Sequence, residues 1–337
     1  MSTMKPGTIL AIETSCDETA AAVIIHGKIR SNIIASQAFS HSKYGGIVPE
    51  VAAREHVSSI IPTIDLALKR ARTKLSDLDL VAVTQGPGLA TSLMVGVDTA
   101  KALGLAINKP VIPINHLEAH IYANFIDDKI KLPAIALIVS GGHTLLVQIK
   151  SHGSYRIIGE TLDDAAGEAF DKTARMLGLG YPGGAKLSSL AQSGNPAAYN
   201  FPRPMINSNN FEFSFSGLKT AVLYKLKEQK SWSRKQKADI AASVQQAIVD
   251  VLIAKLQKAI LRYEPKSILL GGGVAANQLL RKRFRRLATT YNLQPSIPAF
   301  EYCTDNAAMI GLAAFWRIRN KRVKTSNFTA QPNLRLK

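Results

Sequence analysis

The sequence is poor in cysteine: Cys16 and Cys303 are the only two in 337 residues. That is too few for a disulfide framework and fits a reducing cytoplasm. No apolar run approaches the roughly 20 residues a membrane span needs, so no membrane association is expected. Met1 to Thr8 carries one lysine and no apolar stretch of signal-peptide length, so no removable leader is expected. Aromatic residues make up 7% and low-complexity segments are missing, so single-strand base stacking is not strongly signalled. Acidic residues are also scarce beside basic ones, with Asp plus Glu at 24 against Lys plus Arg at 42.

The resulting net charge of +18 implies an anionic partner, and nucleic acid is favoured over a general solubility effect. The cations are clustered. Arg281, Lys282, Arg283, Arg285 and Arg286 form one run, and Arg317, Arg319, Lys321, Arg322 and Lys324 a second. Lys225, Lys227, Lys230, Arg234, Lys235 and Lys237 form a third. Each alone fits a solvated helix face. Hydrophobic residues at 46% and charged residues at 20% indicate a globular chain, and its length suffices for two packed domains.

The chain shows a repeated pattern. Apolar Ile9 to Ile12, the polar turn Glu13 to Thr19 and apolar Ala20 to Ile25 read as strand, tight turn and antiparallel strand. Ala134 to Val139, Ser140-Gly141-Gly142-His143-Thr144 and Leu145 to Ile149 read the same way. Each hairpin is followed by another strand signal (Ile29 to Ser36; Tyr155 to Glu160) and then by helical periodicity. Two such halves predict a duplicated α/β domain. Helical spacing covers Val51 to Arg72, with a break or kink expected at Pro62, and also Ser92 to Leu105, Asp164 to Leu177, Lys235 to Arg262 and Asp305 to Arg319. Asn115 is the expected N-cap of a helix over Leu117 to Phe125, and another helix starts at Asn277. Leu80 to Gln85, Val111 to Ile114 and Ser267 to Leu270 read as strands. Tyr181-Pro182-Gly183-Gly184 reads as a loop, and Asn200 to Phe215 as irregular.

Three clusters carry chemistry. In His116-Leu117-Glu118-Ala119-His120 the two histidines share one helix face, so both imidazoles can reach one cation. The glutamate is out of place for a zinc protease, where it directly follows the first histidine. Spacing alone leaves a pair of polar surface histidines equally open, and a third ligand must come from elsewhere. Ser140 to Thr144 and Gly271-Gly272-Gly273 are glycine turns whose backbone amides can approach phosphate or ribose. Neither has P-loop or dinucleotide-fold spacing. With the hairpin near Asp17 they resemble the strand-turn set of an actin-like ATPase. Asp17 and Glu18 are adjacent acids whose side chains point apart. A proton-transfer role and simple turn capping are both open.

Beyond these clusters the motifs are specific. Ile12-Glu13-Thr14-Ser15-Cys16-Asp17-Glu18-Thr19, Gln85-Gly86-Pro87-Gly88-Leu89, His116 to His120, Val139 to Thr144, Phe170-Asp171-Lys172, Tyr181 to Gly184, Phe213 to Lys219, Gly271 to Val274 and Cys303-Thr304-Asp305-Asn306-Ala307 occur in this order. The chain thereby resembles, over nearly its whole length, the tRNA N6-adenosine threonylcarbamoyltransferase family of the bacterial TsaD type.

The resemblance implies a duplicated actin-like fold of the sugar-kinase and heat-shock-ATPase type, with two domains around a nucleotide cleft. The expected domains are 1–115, completed by a C-terminal helix at 305–325, and 116–304. The implied reaction moves a threonylcarbamoyl group from threonylcarbamoyl-AMP to N6 of adenosine 37 in tRNAs reading codons that begin with adenine. The resemblance adds Asp305 to His116 and His120 as ligands of one divalent metal, usually iron in the family and sometimes zinc. Two nitrogens and a carboxylate do not decide between the two. It carries substrate contacts to Ile138, Val139, Ser140, Gly141, Gly142, Asp171, Gly184 and Asn277, and activity to Asp17 and Glu18. Some members have an aspartate where this chain has Ser188. Implied partners are tRNA, a TsaB-type paralogue and a TsaE-type P-loop ATPase. The runs Arg281 to Arg286 and Arg317 to Lys324 are expected to contact tRNA phosphates. An actin-like small-molecule kinase, a metal-dependent glycoprotease and a non-catalytic scaffold are the competing readings.

Overall fold

The computed structural model describes residues 7–126, 130–320 and 327–336. Two compact units emerge, Met1–Lys129 with Ser151–Ser154 and Pro298–Lys337, and Ile130–Lys150 with Tyr155–Ile297.

In the first unit, β1 (Thr8–Glu13), β2 (Glu18–Ile25) and β3 (Lys28–Ser36) form an antiparallel meander. A short helix α1 (Ala38–Ser42) and the long α2 (Pro49–Ala71) follow. The chain then adds β4 (Leu80–Gly86) parallel to β1, α3 (Ala90–Ala106), β5 (Val111–Asn115) parallel to β4, and α4 (His116–Tyr122). The sheet order is β3-β2-β1-β4-β5. Residues Ile9 to Ile12 are wholly buried, as a near-continuous apolar strand covered on both faces must be. Leu10, Ile12, Ala21 and Val23 pack under Ile60, Ile64 and Ala67 of α2 and Val97 and Ala100 of α3. The alternate residues Ala11 and Ile24 face the opposite way. They meet Gly311 of a later helix, where an added Cβ would lie 2.4 Å from Ile24 Cγ1.

The second unit repeats this plan. It has β6 (Ala134–Val139), β7 (Thr144–Ser151), β8 (Ser154–Glu160), α5 (Ala166–Met176), α6 (Gly183–Ala191), α7 (Ser216–Lys227) and α8 (Arg234–Tyr263). After these come β9 (Ser267–Gly271), α9 (Gln278–Thr290) and β10 (Gln294–Ser296). Its order, β10-β9-β6-β7-β8, again has a hairpin-bearing first strand joined to a parallel strand at its other edge. The chain returns to the first unit with α10 (Ala307–Arg319). The sequence division was drawn at 115/116, whereas the compact units part at 129/130; α4 packs on α10, which lies on β1 and β2.

Several local expectations differ from the structure. Helix α2 is not broken at Pro62, the first of the two alternatives read there, and runs from Pro49 to Ala71. Helix α10 begins at Ala307 rather than Asp305, because Asn306 caps it with Oδ1 accepting from Met309 N at 3.0 Å. Gly183 and Gly184, read as loop, open α6. Glycine suits Gly183 because an added Cβ would fall 2.9 Å from Asp171 Cα. Helix α7 starts on a distant cap: Asp163 Oδ1 accepts from the backbone amides of Phe215 (2.8 Å) and Ser216 (3.3 Å). Among the described residues, no helix is long and apolar enough to cross a membrane.

Candidate metal centre and glycine turns

Helix α4 starts on a local cap, with Asn115 Oδ1 accepting from the amides of Leu117 (2.8 Å) and Glu118 (3.2 Å). This sets the first turn, and the i, i+4 spacing places His116 and His120 on one face, ring centroids 4.6 Å apart. Both are buried. Asp305, just before α10, brings Oδ1 to 3.4 Å from His116 Nε2 and 3.3 Å from His120 Nε2. The three donor atoms all lie within 4.8 Å of one another, a separation compatible with bonds of about 2.0–2.2 Å to one cation.

The donor set fits a cation. Neither ring nitrogen of His120 makes a hydrogen bond among the described residues, although both are buried. An imidazole left so is costly unless something takes a lone pair. His116 is oriented from behind. Its Nδ1–H donates to Glu13 Oε2 at 2.9 Å, which leaves the Nε2 lone pair facing Asp305. Glu13 is fully buried and also accepts from Thr84 Oγ1 at 2.7 Å and from the Ser15 amide. Burial opposes charge on His116, but Asp305 and Glu13 outweigh it and raise its pKa well above 6.5. Burial lowers the pKa of His120. Burial also works against ionised Asp305, yet the His116 charge beside it holds the carboxyl far below the usual range.

Glu118 points away from this cluster. It pairs with Arg317 of α10, whose Nη1 donates to Pro113 O at 2.8 Å. The pair ties the helix bearing the histidines to the helix that follows Asp305.

Asp17 and Glu18 lie beyond Glu13 in the hairpin. Glu18 Oε1 accepts from Ser36 Oγ at 2.8 Å, while its buried Oε2 makes no hydrogen bond among the described residues. Burial above all pushes this carboxyl up to about 7. The turn is held by His56, a residue the sequence reading did not single out. Its Nε2–H donates to Cys16 O at 3.0 Å, and its Nδ1 accepts from Thr19 Oγ1 at 2.7 Å. Burial lowers the pKa of His56 and, with Asp17, raises that of the Cys16 thiol well above 9.0.

The remaining site residues lie in the second unit. Ile138 and Val139 end β6 with buried side chains. The turn after them is closed by Ser140 N donating to His143 O at 2.8 Å and His143 N donating to Ser140 Oγ at 3.1 Å. Gly141 and Gly142 are exposed, with open space where side chains would stand. The second glycine turn sits beside this one. Gly272 has φ +84° and a Cβ there would strike Val139 O at 2.3 Å, so only glycine fits. Asp171 Oδ1 accepts from Gly184 N at 2.8 Å. Asn277 caps α9, with Oδ1 accepting from Leu280 N at 3.0 Å, and its Nδ2 donates to Gln245 Oε1 (2.7 Å) and Ser188 Oγ (2.9 Å). Gln245 was not legible beforehand, since it lies within a long helix.

The basic runs divide. Arg281 is buried with Nε donating to Ala275 O at 2.6 Å, and Arg283 pairs with Asp250 at 3.2 Å. Arg317 is committed to Glu118. Three residues of the earlier runs are thus engaged within the fold. Lys321, Arg322 and Lys324 lie outside the described residues.

With this geometry in hand, the likeness to known proteins is informative. The TsaD family profile, tRNA N6-adenosine threonylcarbamoyltransferase, matches residues 28–312. The tRNA N6-adenosine threonylcarbamoyltransferase of Moorella thermoacetica is 50% identical over 331 residues, covering 97% of either chain. That of Thermosipho africanus is 46% identical, covering 97% of this chain and 99% of its own. Among solved structures, component A of the (R)-2-hydroxyglutaryl-CoA dehydratase of Acidaminococcus fermentans superposes with a TM-score of 0.54 at 18% identity, over 93% of this chain and 99% of that one. HypF of T. kodakarensis gives 0.61 at 15% identity over 95% of this chain, which spans 48% of HypF. The distant structures bear on the fold alone, which is the actin-like, sugar-kinase type. The sequence relatives match end to end, and the chain accordingly belongs to the tRNA N6-adenosine threonylcarbamoyltransferase family and is a tRNA-modifying transferase.

Proposed function

We propose that the chain moves the threonylcarbamoyl group of threonylcarbamoyl-AMP to N6 of adenosine 37, in tRNAs that read codons beginning with adenine, with release of AMP. The observation that carries this reading is the buried His116, His120 and Asp305 cluster, with Glu13 behind it, in a chain of this family. The donor is a mixed carbamic-phosphoric anhydride and is already activated. The N6 lone pair forms a bond to the carbamoyl carbon, the carbon–oxygen bond to phosphate breaks, and one N6 proton is lost.

The adenine amine is a weak nucleophile because its lone pair is delocalised into the ring, so positioning must contribute much of the rate. When bound at His116, His120 and Asp305, a divalent cation supplies positive charge toward an anionic donor oxygen. Iron is the metal proposed, with zinc second. Glu13 holds His116 in the tautomer that presents Nε2. In the second unit, the exposed backbone of Gly141 and Gly142 after Ser140 suits a phosphate or ribose, as do Asp171, Gly184 and Asn277 around their turns. Glu18 suits acceptance of the N6 proton, because its carboxyl titrates near neutrality and Oε2 is unengaged; Asp17 is the second acid of that turn. Glu118, the carboxylate a protease reading would need, is spent on Arg317. A TsaB-type paralogue and a TsaE-type ATPase are the proposed partners, and the cytoplasm the proposed compartment.

The test combines purified chain, both partners, threonylcarbamoyl-AMP and unmodified tRNA, with nucleoside mass spectrometry as readout. Wild type should form N6-threonylcarbamoyladenosine, and His116→Ala with His120→Ala should not. Absent product with wild type, or full product with the double variant, overturns the reading.

A further inference from the structure

Helices α7 and α8 meet at a corner of the second unit that none of the proposed site residues uses. Lys225, Lys227, Lys230, Arg234, Lys235 and Lys237 lie along it, with Glu228 the one acid between positions 225 and 237 and Asp239 just beyond. Lys227, Lys230, Arg234 and Lys235 are exposed. Lys225 is held by Glu228 at 2.6 Å and Lys235 by Asp239 at 2.7 Å. Among the described residues, no carboxylate pairs with Lys227, Lys230 or Arg234, so their charge faces solvent. On α9, Arg281 is buried and Arg283 pairs with Asp250, while Lys282, Arg285 and Arg286 are exposed.

The corner is also rigid and aromatic. Trp232 Nε1 donates to Leu226 O at 3.1 Å, and Ser233 with Gln236 closes a capping box at the start of α8. The Trp232 indole packs edge-on against Tyr199, with ring centroids 6.3 Å apart, and Lys225 Nζ lies 5.1 Å from the Tyr199 centroid. Lys227 lies 6.0 Å from the ring of exposed Tyr224. Beside Tyr199 opens a cavity of about 470 Å³ lined by Pro196, Ala197, Tyr199, Asn200, Arg203 and Gln246. Unpaired cations spread over a fixed surface suit a phosphodiester backbone. A half-exposed ring beside an open cavity of mixed polar and apolar lining suits a splayed base.

We infer that this α7–α8 corner is a docking surface for the tRNA substrate, with backbone phosphates on Lys227, Lys230 and Arg234 and an unstacked base against Tyr199. The inference rests on the tRNA reading of the site. It places recognition on a surface separate from the donor turns, so that binding and chemistry can be altered independently.

The test measures binding of unmodified tRNA to the full chain, by fluorescence anisotropy across a salt series. Lys227→Glu with Arg234→Glu should weaken binding about tenfold or more near physiological salt and lower the slope of log K against log salt by about 1.5. The neutral pair Lys227→Gln with Arg234→Gln should act in the same direction, more weakly. Lys282→Glu with Arg286→Glu on α9 is the control and should change binding less than about threefold. Metal content and thermal melting should match wild type in all variants. Wild-type binding by both corner variants, or an equal loss from the α9 variant, overturns the inference while leaving the reaction untouched. Failure of the wild-type chain and its partners to bind tRNA at low salt overturns the reading itself.

Discussion

Glu13 and His116 are 103 residues apart in the chain and joined by a hydrogen bond of 2.9 Å in a wholly buried setting. The carboxylate ends β1 and the imidazole begins α4, so the strand order β1-β4-β5 also sets which His116 nitrogen faces Glu13. A carboxylate behind a ligating histidine raises its basicity and fixes its ring. Glu13→Gln should keep the fold and lower metal affinity about 10- to 100-fold, read by competition with a chromophoric chelator. Unchanged affinity would show that the carboxylate has no such role.

Metal binding should also register as stability. A cation that binds only the folded state at about a hundred times its Kd adds about 2.7 kcal/mol. Purified chain should melt several degrees lower after chelation and recover with Fe²⁺ or Zn²⁺. His120→Ala combined with Asp305→Ala should abolish that metal-dependent shift in scanning calorimetry.

The pair between Glu118 and Arg317 can be broken from the arginine side. Arg317→Met takes the guanidinium away from Glu118, whose side chain is 3% exposed. The expected loss is about 2–4 kcal/mol by urea denaturation, below the fully buried figure because Arg317 is partly exposed. Adding Glu118→Gln should recover part of it. Equal stability of the single and double variants would contradict a direct coupling.

Glu18 makes stability depend on pH. Its folded pKa of about 7 stands above the reference 4.5, so between these values the folded state binds more protons than the unfolded one. Stability should fall as pH rises through that window and level off above it. Glu18→Gln should flatten this component, measured as denaturation midpoints at a series of pH values.

The last described segment, 327–336, straps the start of helix α4. Gln331 N donates to Gln85 O at 2.8 Å, Gly88 N donates to Pro332 O at 3.1 Å, and the capping residue Asn115 donates through Nδ2 to Arg335 O at 3.1 Å. Removing residues 327–337 should loosen the α4 cap and weaken metal retention by about tenfold. A truncated chain that holds metal as tightly as wild type would assign the strap to packing alone.

Much of this architecture was legible from local patterning. The hairpins at Glu13 to Thr19 and Ser140 to Thr144 showed because apolar strands flanked short polar turns. The duplication showed because that pattern recurs. Helix α4 showed through Asn115, whose cap is made by the residue itself. Helix α7 was hidden because its cap, Asp163, is 52 residues away from Phe215. Helix α6 was hidden because Pro182, Gly183 and Gly184 carry the usual marks of a loop. The fit of Gly183 against Asp171 is a tertiary contact that no window of sequence contains.

The same division runs through the site. Periodicity alone placed His116 and His120 on one helix face, because the α-helical repeat is a property of the backbone. Local pattern left open whether they were ligands or surface polar groups, and family motifs proposed Asp305 without locating it. Folding settled their surroundings. It buried both rings, brought Asp305 to within 3.4 Å of each Nε2, set Glu13 behind one ring and left the other without a hydrogen bond. Burial and contacts across a hundred residues or more depend on strand order and helix packing, and those are set by the whole chain at once.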